Sequence, residues 1–426
     1  MSTHLRQRPT PPSPARKRWI DDWRPDDPAF WRQGGRRTAL RNLLVSMTTQ
    51  HLGFAVWLLW SEVAVSLPAA GFHFTVDQLL WLTALPSLLG SGLRLPYTFA
   101  VTRFGGRTWT AASAALLLIP TALLAACVSN SGTPYWMFLA ASATAGLGGA
   151  NFASSMAHVS FLYPGKHRGL ALGINAAGGN LGVAVVQLAV PPVITATTGI
   201  HLAWAGLMWI PLIIATATAA LLWTDNFTEA NTNPRAYKEV LSHKDTWLTS
   251  ALYLGTFGSF IGFSAALPLL IQTQFPEAHA SYFAFLGALT GSAARPVGGW
   301  LADEHGGGKV TIAALTGVIA GVVAVIEALA EHSFALFLAA FLWLFITTGI
   351  GNGSTYQLIP RLYPTKQQSA AAIGIIGAIG GLGGFLITSA FAASLHDGGG
   401  LTPALTICCA YYAACLAITA KRFRRS

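Results

Sequence analysis

Long apolar stretches alternate with short polar breaks along almost the whole chain. The apolar runs fall at 40–66, 76–101, 106–128, 133–162, 168–196 and 201–224, then at 247–273, 280–302, 309–331, 334–360, 368–394 and 402–420. About 20 apolar residues form a helix that crosses a hydrocarbon core, and such a helix satisfies its own backbone hydrogen bonds there. The pattern predicts an all-α membrane protein of twelve transmembrane helices. One break differs from the rest: Asp225 to Asp245 is polar, contains Pro234, Arg235 and Lys238, and reads as a linker. It separates an N-terminal tail (1–37) and a six-helix bundle (38–224) from a second six-helix bundle (246–420) and a C-terminal tail (421–426), with the linker itself at 225–245.

Charge sets the orientation. Only 10% of the 426 residues are charged and 53% are hydrophobic, against about 25% charged in a soluble domain. All but two of the 26 Lys and Arg fall in the tails or the even-numbered loops, among them Arg103, Arg107, Lys166, Arg168, Lys309 and Arg361. The positive-inside rule then places both termini in the cytoplasm. The net charge of +10 is an orientation signal, and nucleic-acid binding is not expected. The first apolar run starts near Leu43, behind a basic tail, so no cleavable signal is expected. Cys127, Cys408, Cys409 and Cys415 lie in apolar runs without ligand spacing, which predicts neither disulfide nor metal, and no cofactor.

The two exceptions are Arg94 and Arg295, 201 residues apart, each preceded at the same offset by Gly-Ser: Gly90-Ser91 and Gly291-Ser292. A charge at the centre of a spanning helix costs about 2.5–3.5 kcal/mol on the insertion scale, so it faces a cavity and has a partner. No carboxylate falls at mid-depth: Glu62, Asp77, Glu327 and Glu331 lie toward the outer ends of spans. The missing counter-charge points to an anionic substrate. Guanidinium stays charged and offers forked donors that match a trigonal oxyanion. The competing reading is structural, with both side chains bound to helix carbonyls or reaching an interface.

The repeat continues in Leu162-Tyr163-Pro164 and Leu362-Tyr363-Pro364, in Gly146-Leu147-Gly148 and Gly349-Ile350-Gly351, and in Gly173, Gly179 and Gly182 matched by Gly374, Gly380 and Gly383. Two parallel six-helix halves follow, the architecture of major facilitator transporters, whose halves rock around a central site. Gly299-Trp300-Leu301-Ala302-Asp303, with Gly306 and Lys309, resembles the facilitator motif that latches neighbouring helices at the cytoplasmic end through its Asp. The first half has Thr102 in that place. The glycines allow close helix approach and bending. Asn151, Asn175, Asn180 and Asn352 offer amides to an oxyanion or to bent backbone. Phe54, Phe152, Tyr253 and Phe257 suit either flat cavity walls or ordinary helix packing.

The stretch Gly148-Gly149-Ala150-Asn151-Phe152-Ala153-Ser154-Ser155-Met156, with Phe161, Pro164 and Ala171-Leu172-Gly173-Ile174-Asn175 to Gly182, resembles the nitrate signature of bacterial nitrate/nitrite porters. Asp22-Trp23-Arg24-Pro25-Asp26-Asp27-Pro28-Ala29-Phe30-Trp31, Leu82-Thr83-Ala84-Leu85-Pro86, Tyr253-Leu254-Gly255-Thr256-Phe257-Gly258-Ser259-Phe260 and Gly351-Asn352-Gly353-Ser354-Thr355 are similar to the NarK-type branch. The resemblance implies a monomeric porter of the bacterial inner membrane, embedded in lipid, that exchanges nitrate for nitrite in nitrate respiration. It implies that Arg94 and Arg295 clamp the anion, Tyr253 hydrogen-bonds it, and Phe54, Phe152 and Phe257 line the cavity. Asn175 and Asn180 then support or contact the substrate. His158 stands where that family commonly has Asn, and His51 and Glu62 where it has apolar or small residues. These three leave proton-coupled nitrate symport open as an alternative. A transporter-like anion sensor is a further one, although the short tails offer no output domain. An enzyme is not expected, because no nucleophile–base pair lies in the spans.

Overall fold

The computed structural model describes residues 19–228, 234–278, 282–363 and 365–424. The basic cluster Arg16-Lys17-Arg18, Glu229 of the linker, Pro364 of the second Leu-Tyr-Pro and Arg425 lie outside the described residues. The long helical segments of the first half are α1 (Pro28–Ser66), α2 (Val76–Phe104), α3 (Gly106–Val128), α4 (Tyr135–Thr144 continued by Gly146–Leu162), α5 (Gly165–Ile194) and α6 (Ala203–Trp223). Those of the second are α7 (Lys244–Gln274), α8 (Ala284–His305), α9 (Gly307–Ala330), α10 (Phe334–Leu362), α11 (Lys366–His396) and α12 (Thr402–Arg422). Among the described residues, nine helices are long and apolar enough to cross a membrane. The segments outside that set are α2, α4 and α8, which carry Arg94, the glycine-rich stretch 146–155 and Arg295.

The halves repeat one packing scheme. In the first, α1 packs on α5 and α2 on α4; in the second, α7 packs on α11 and α8 on α10. Between halves, α2 runs along α11 and α5 along α8. Small residues set these approaches. A Cβ on Gly182 would lie 2.1 Å from the His51 carbonyl, and one on Gly383 would lie 2.7 Å from the Gly258 Cα. At the equivalent turns Gly105 and Gly306, φ is 86° and 93°, a region that favours glycine. These two turns join α2 to α3 and α8 to α9.

The two ends of the bundle differ. At the end bearing the basic loops, β1 (Trp19–Ile20) pairs in parallel with β2 (Asn226–Phe227). The Trp23 indole donates to the Phe161 carbonyl at 3.2 Å, the Gly165 amide donates to Asp26, and Arg41 pairs with Asp225 at 2.5 Å. Residues 19–27, assigned to the tail by hydropathy, therefore fold back onto the first half, and 28–37 form the start of α1. A linker helix, Pro234–Ser242, packs on α11, with the Tyr237 ring 4.5 Å from that of Phe99. At the same basic end a cleft of about 400 Å³ separates the halves, lined by Ser160, Lys166 and Arg168 on one side and Asp303, Gln357 and Ser369 on the other. At the opposite end the halves meet. There Gln187 of α5 donates from Nε2 to the Ser264 carbonyl of α7 at 2.8 Å, and Trp60, Phe72, Phe74 and Phe138 form a packed ring cluster.

Candidate anion-binding site

Arg94 sits on α2 two residues before Pro96, and Arg295 on α8 immediately before Pro296. Proline removes a backbone donor and loosens the turn before it. Both guanidinium groups are buried between the halves, at 0% and 4% exposure. Among the described residues neither pairs with a carboxylate.

The structure brings the two charges onto one pair of rings. The Arg94 Cζ lies 4.9 Å from the Phe152 centroid and 5.0 Å from that of Phe257; for Arg295 the same distances are 5.7 and 6.0 Å. The two phenyl rings are stacked at 5.8 Å, one from α4 and one from α7. They replace part of the hydration each cation has lost, because a ring face is electron-rich and such contacts strengthen on desolvation.

Each arginine uses some donors structurally and leaves a buried Nη nitrogen without a protein partner. Arg94 donates from Nε to the Gly149 carbonyl at 3.2 Å and from Nη1 to the Gly377 carbonyl, across the halves. Its Nη2 has no protein partner. Arg295 donates from Nη2 to the Tyr253 hydroxyl at 3.3 Å, and its Nη1 has none. Nε and Nη1 of Arg94 thus take the carbonyl-bound role that the sequence left open, and Nη2 stays available to a further acceptor.

Tyr253 immediately precedes a π-helical turn, Leu254–Gly258, and Phe257 lies within it; their rings stack at 5.1 Å. A turn widened by one residue re-aims side chains, and such turns cluster at functional sites. Gly380 makes room for this arrangement, since a Cβ there would lie 2.3 Å from the Tyr253 Cδ1. Gly380→Ala is therefore expected to displace Tyr253 and lower anion exchange about tenfold with little loss of folded protein. Unchanged transport kinetics in purified Gly380→Ala would refute that placement.

Other sequence-predicted residues take different places. Phe54 packs behind Phe152 and against Trp57, at 6.1 and 5.2 Å, so it supports the walls without a ring contact to either guanidinium. Asn175, placed among the substrate contacts by the sequence, spends its amide nitrogen on Gln50, Ser155 and Met156 inside the first half. Asn151 is likewise structural, donating to the Thr49 carbonyl and accepting from Ser113 and Ser154. Asn180 and Asn352 are fully buried with both amide atoms unpartnered. Gly148, Gly149, Gly179, Gly182, Gly351 and Gly383 face close neighbours, whereas a Cβ on Gly173 would meet nothing within 4 Å. Of the two roles the sequence left open for Gly173, close approach and bending, the open space on that face does not call for the first. Asp303 is exposed and lines the cleft between the halves.

Sequence reasoning missed two rings. Trp57 lies 5.4 Å from the Arg94 Cζ, and Tyr356 lies 5.5 Å from that of Arg295. Trp57 sits three residues beyond Phe54, where ordinary helix periodicity accounts for it. Tyr356 follows the quoted Gly351-to-Thr355 run by one residue, and that adjacency was the available signal.

The model of the Major Facilitator Superfamily matches residues 44–420. The chain belongs to this superfamily, in its NarK-type branch. This porter is 40% identical to the nitrate/nitrite transporter NarU of Salmonella typhimurium, over 94% of its own length and 95% of that relative. It is 34% identical to the probable nitrate/nitrite antiporter NarK2 of Thermus thermophilus, over 91% and 92%. Among solved structures it is similar to a D-xylose-proton symporter, with a TM-score of 0.67, 16% identity, and coverage of 90% and 97%. That likeness concerns the major facilitator fold alone.

Proposed function

We propose that this porter carries nitrate and nitrite across the bacterial inner membrane in opposite directions, with twelve spans, both termini in the cytoplasm and no enzymatic step. One observation carries the reading: two buried guanidinium groups, one from each half, share the Phe152–Phe257 pair and each holds a buried, unpartnered Nη nitrogen. A planar monoanion between the rings accepts from both. The names of the relatives above supply the choice of nitrate and nitrite.

Exchange follows from the electrostatics. Two cations brought together away from water repel each other, and closing the cleft around them alone raises that penalty. A bound monoanion offsets it, so the halves reorient only when loaded. Counterflow tests this: labelled nitrate should enter proteoliposomes containing nitrite and should not enter those lacking an internal anion. Equal uptake in both would sink obligatory exchange.

A second reading, proton-coupled symport, has one observation in its favour. Glu62 is buried at 3% exposure, and its Oε1 has no partner. It follows Trp57 by five residues, about 7.5 Å along the helix toward the closed end. His51 and His158 suit coupling less, since His51 bonds the Gly178 carbonyl and His158 contacts Asn42. Under exchange, Glu62→Gln should leave counterflow within about twofold of wild type, because no proton moves through the residue. Nitrate accumulation driven by an imposed pH gradient, abolished in Glu62→Gln, would establish symport instead.

A further inference from the structure

The geometry points to Tyr356 as a specificity-determining contact of this site, whose phenolic hydroxyl donates to the third oxygen of a trigonal oxyanion and so favours nitrate over nitrite. The inference rests on the transport reading above. Tyr356 lies on α10 in the second half and faces the first: its ring centroid is 6.4 Å from that of Phe152 and 5.7 Å from that of Tyr253. The Arg295 guanidinium stands over its face. The ring is half-buried, yet the hydroxyl oxygen is sealed and has no hydrogen-bond partner. Gln357, the next residue, lines the cleft that reaches the basic end. The ring therefore stands beside Arg295 and next to a cleft-lining residue, with its hydroxyl buried.

A buried phenol without a partner is costly, and a phenylalanine ring fills the same space without that cost. Packing alone does not explain the hydroxyl. An acceptor arriving from the cleft does, and Arg94 Nη2 and Arg295 Nη1, both buried without a partner, and the Tyr253 hydroxyl offer it three further donors. Those three donors serve the two oxygens that nitrate and nitrite share. Nitrate has one oxygen more. A site built to hydrogen-bond a group rejects the analogue that lacks it, because the protein donor is left buried and unpaired. With nitrite bound, the Tyr356 hydroxyl stays unpaired; with nitrate it is satisfied.

Tyr356→Phe keeps the ring and removes only the donor. In proteoliposome exchange it should raise the KM for nitrate about tenfold, the loss of one hydrogen bond to a charged group. The KM for nitrite should change by less than about twofold on the same grounds. Unfolding temperatures of the two proteins, measured without anion, should agree within error or rise in the variant. Equal shifts for both anions, or none for either, overturn the proposal while leaving the transport reading intact. Wild-type protein that exchanges neither anion removes the transport reading and this inference with it.

Discussion

Replacing Arg94 by lysine should lower nitrate/nitrite exchange about 100-fold in protein that still folds, although the formal charge is unchanged. The reason lies in the three directions of the guanidinium fork. Nε and Nη1 are tied to the carbonyls of Gly149 and Gly377, on opposite halves, and that anchoring aims Nη2 into the site. An ammonium is one compact, strongly hydrated point and cannot hold both carbonyls while presenting a donor to the anion. The variant loses the bridge between halves and the aimed donor together. Two charge-assisted hydrogen bonds at about 1.5–3 kcal/mol each set the scale, reduced by whatever the lysine recovers. Exchange within about threefold of wild type in Arg94→Lys, at matched protein insertion, would show that charge alone suffices.

The second large effect concerns the approach of α1 to α4. A methyl group added at Gly148 would lie 2.1 Å from the Gly53 carbonyl oxygen, and one at Gly53 would lie 2.8 Å from the Gly148 carbonyl. Backbone stands on both sides, so no side chain can yield. Gly148→Ala should destabilise by about 3 kcal/mol, the upper part of the range for overpacking a filled interior. Gly173→Ala is the matched control, since its methyl meets nothing within 4 Å and helix propensity favours alanine by about 0.8–1.0 kcal/mol. Thermal unfolding in detergent should show a clear drop for the first and none for the second. Equal melting temperatures for the two variants would mean that the contact between Gly53 and Gly148 does not limit stability.

Much of the site was legible in one dimension because membrane insertion makes charge conspicuous. Arg94 and Arg295 stood out as the basic residues that no loop could claim, and the repeat put them in equivalent helices. The aromatic candidates were less decided: Phe152 and Phe257 occur in runs where any ring also suits packing. Their adjacency to both guanidinium groups depends on α4 meeting α7 across the interface, a contact between residues 105 positions apart. Tyr356 and Trp57 went unseen for the same reason. Asn175 was read as supporting or contacting the substrate because it belongs to the stretch that resembles the nitrate signature. Gln50 and Ser155, which take its amide nitrogen, belong to α1 and α4, and nothing local to Asn175 reveals them.

The sequence alone determined the helical membrane class, the two-half repeat and the pair of unneutralised arginines. These follow from hydropathy and charge, which each residue carries wherever it lies in the fold. Only the tertiary structure decided which buried Nη nitrogen of each arginine lacks a protein partner, which rings lie beneath the cations, and which end is closed by Gln187 against Ser264. Hydrogen bonds and ring contacts are short-ranged and directional, so they are set by how helices from the two halves meet. In this porter the decisive contacts nearly all cross between segments far apart in the chain.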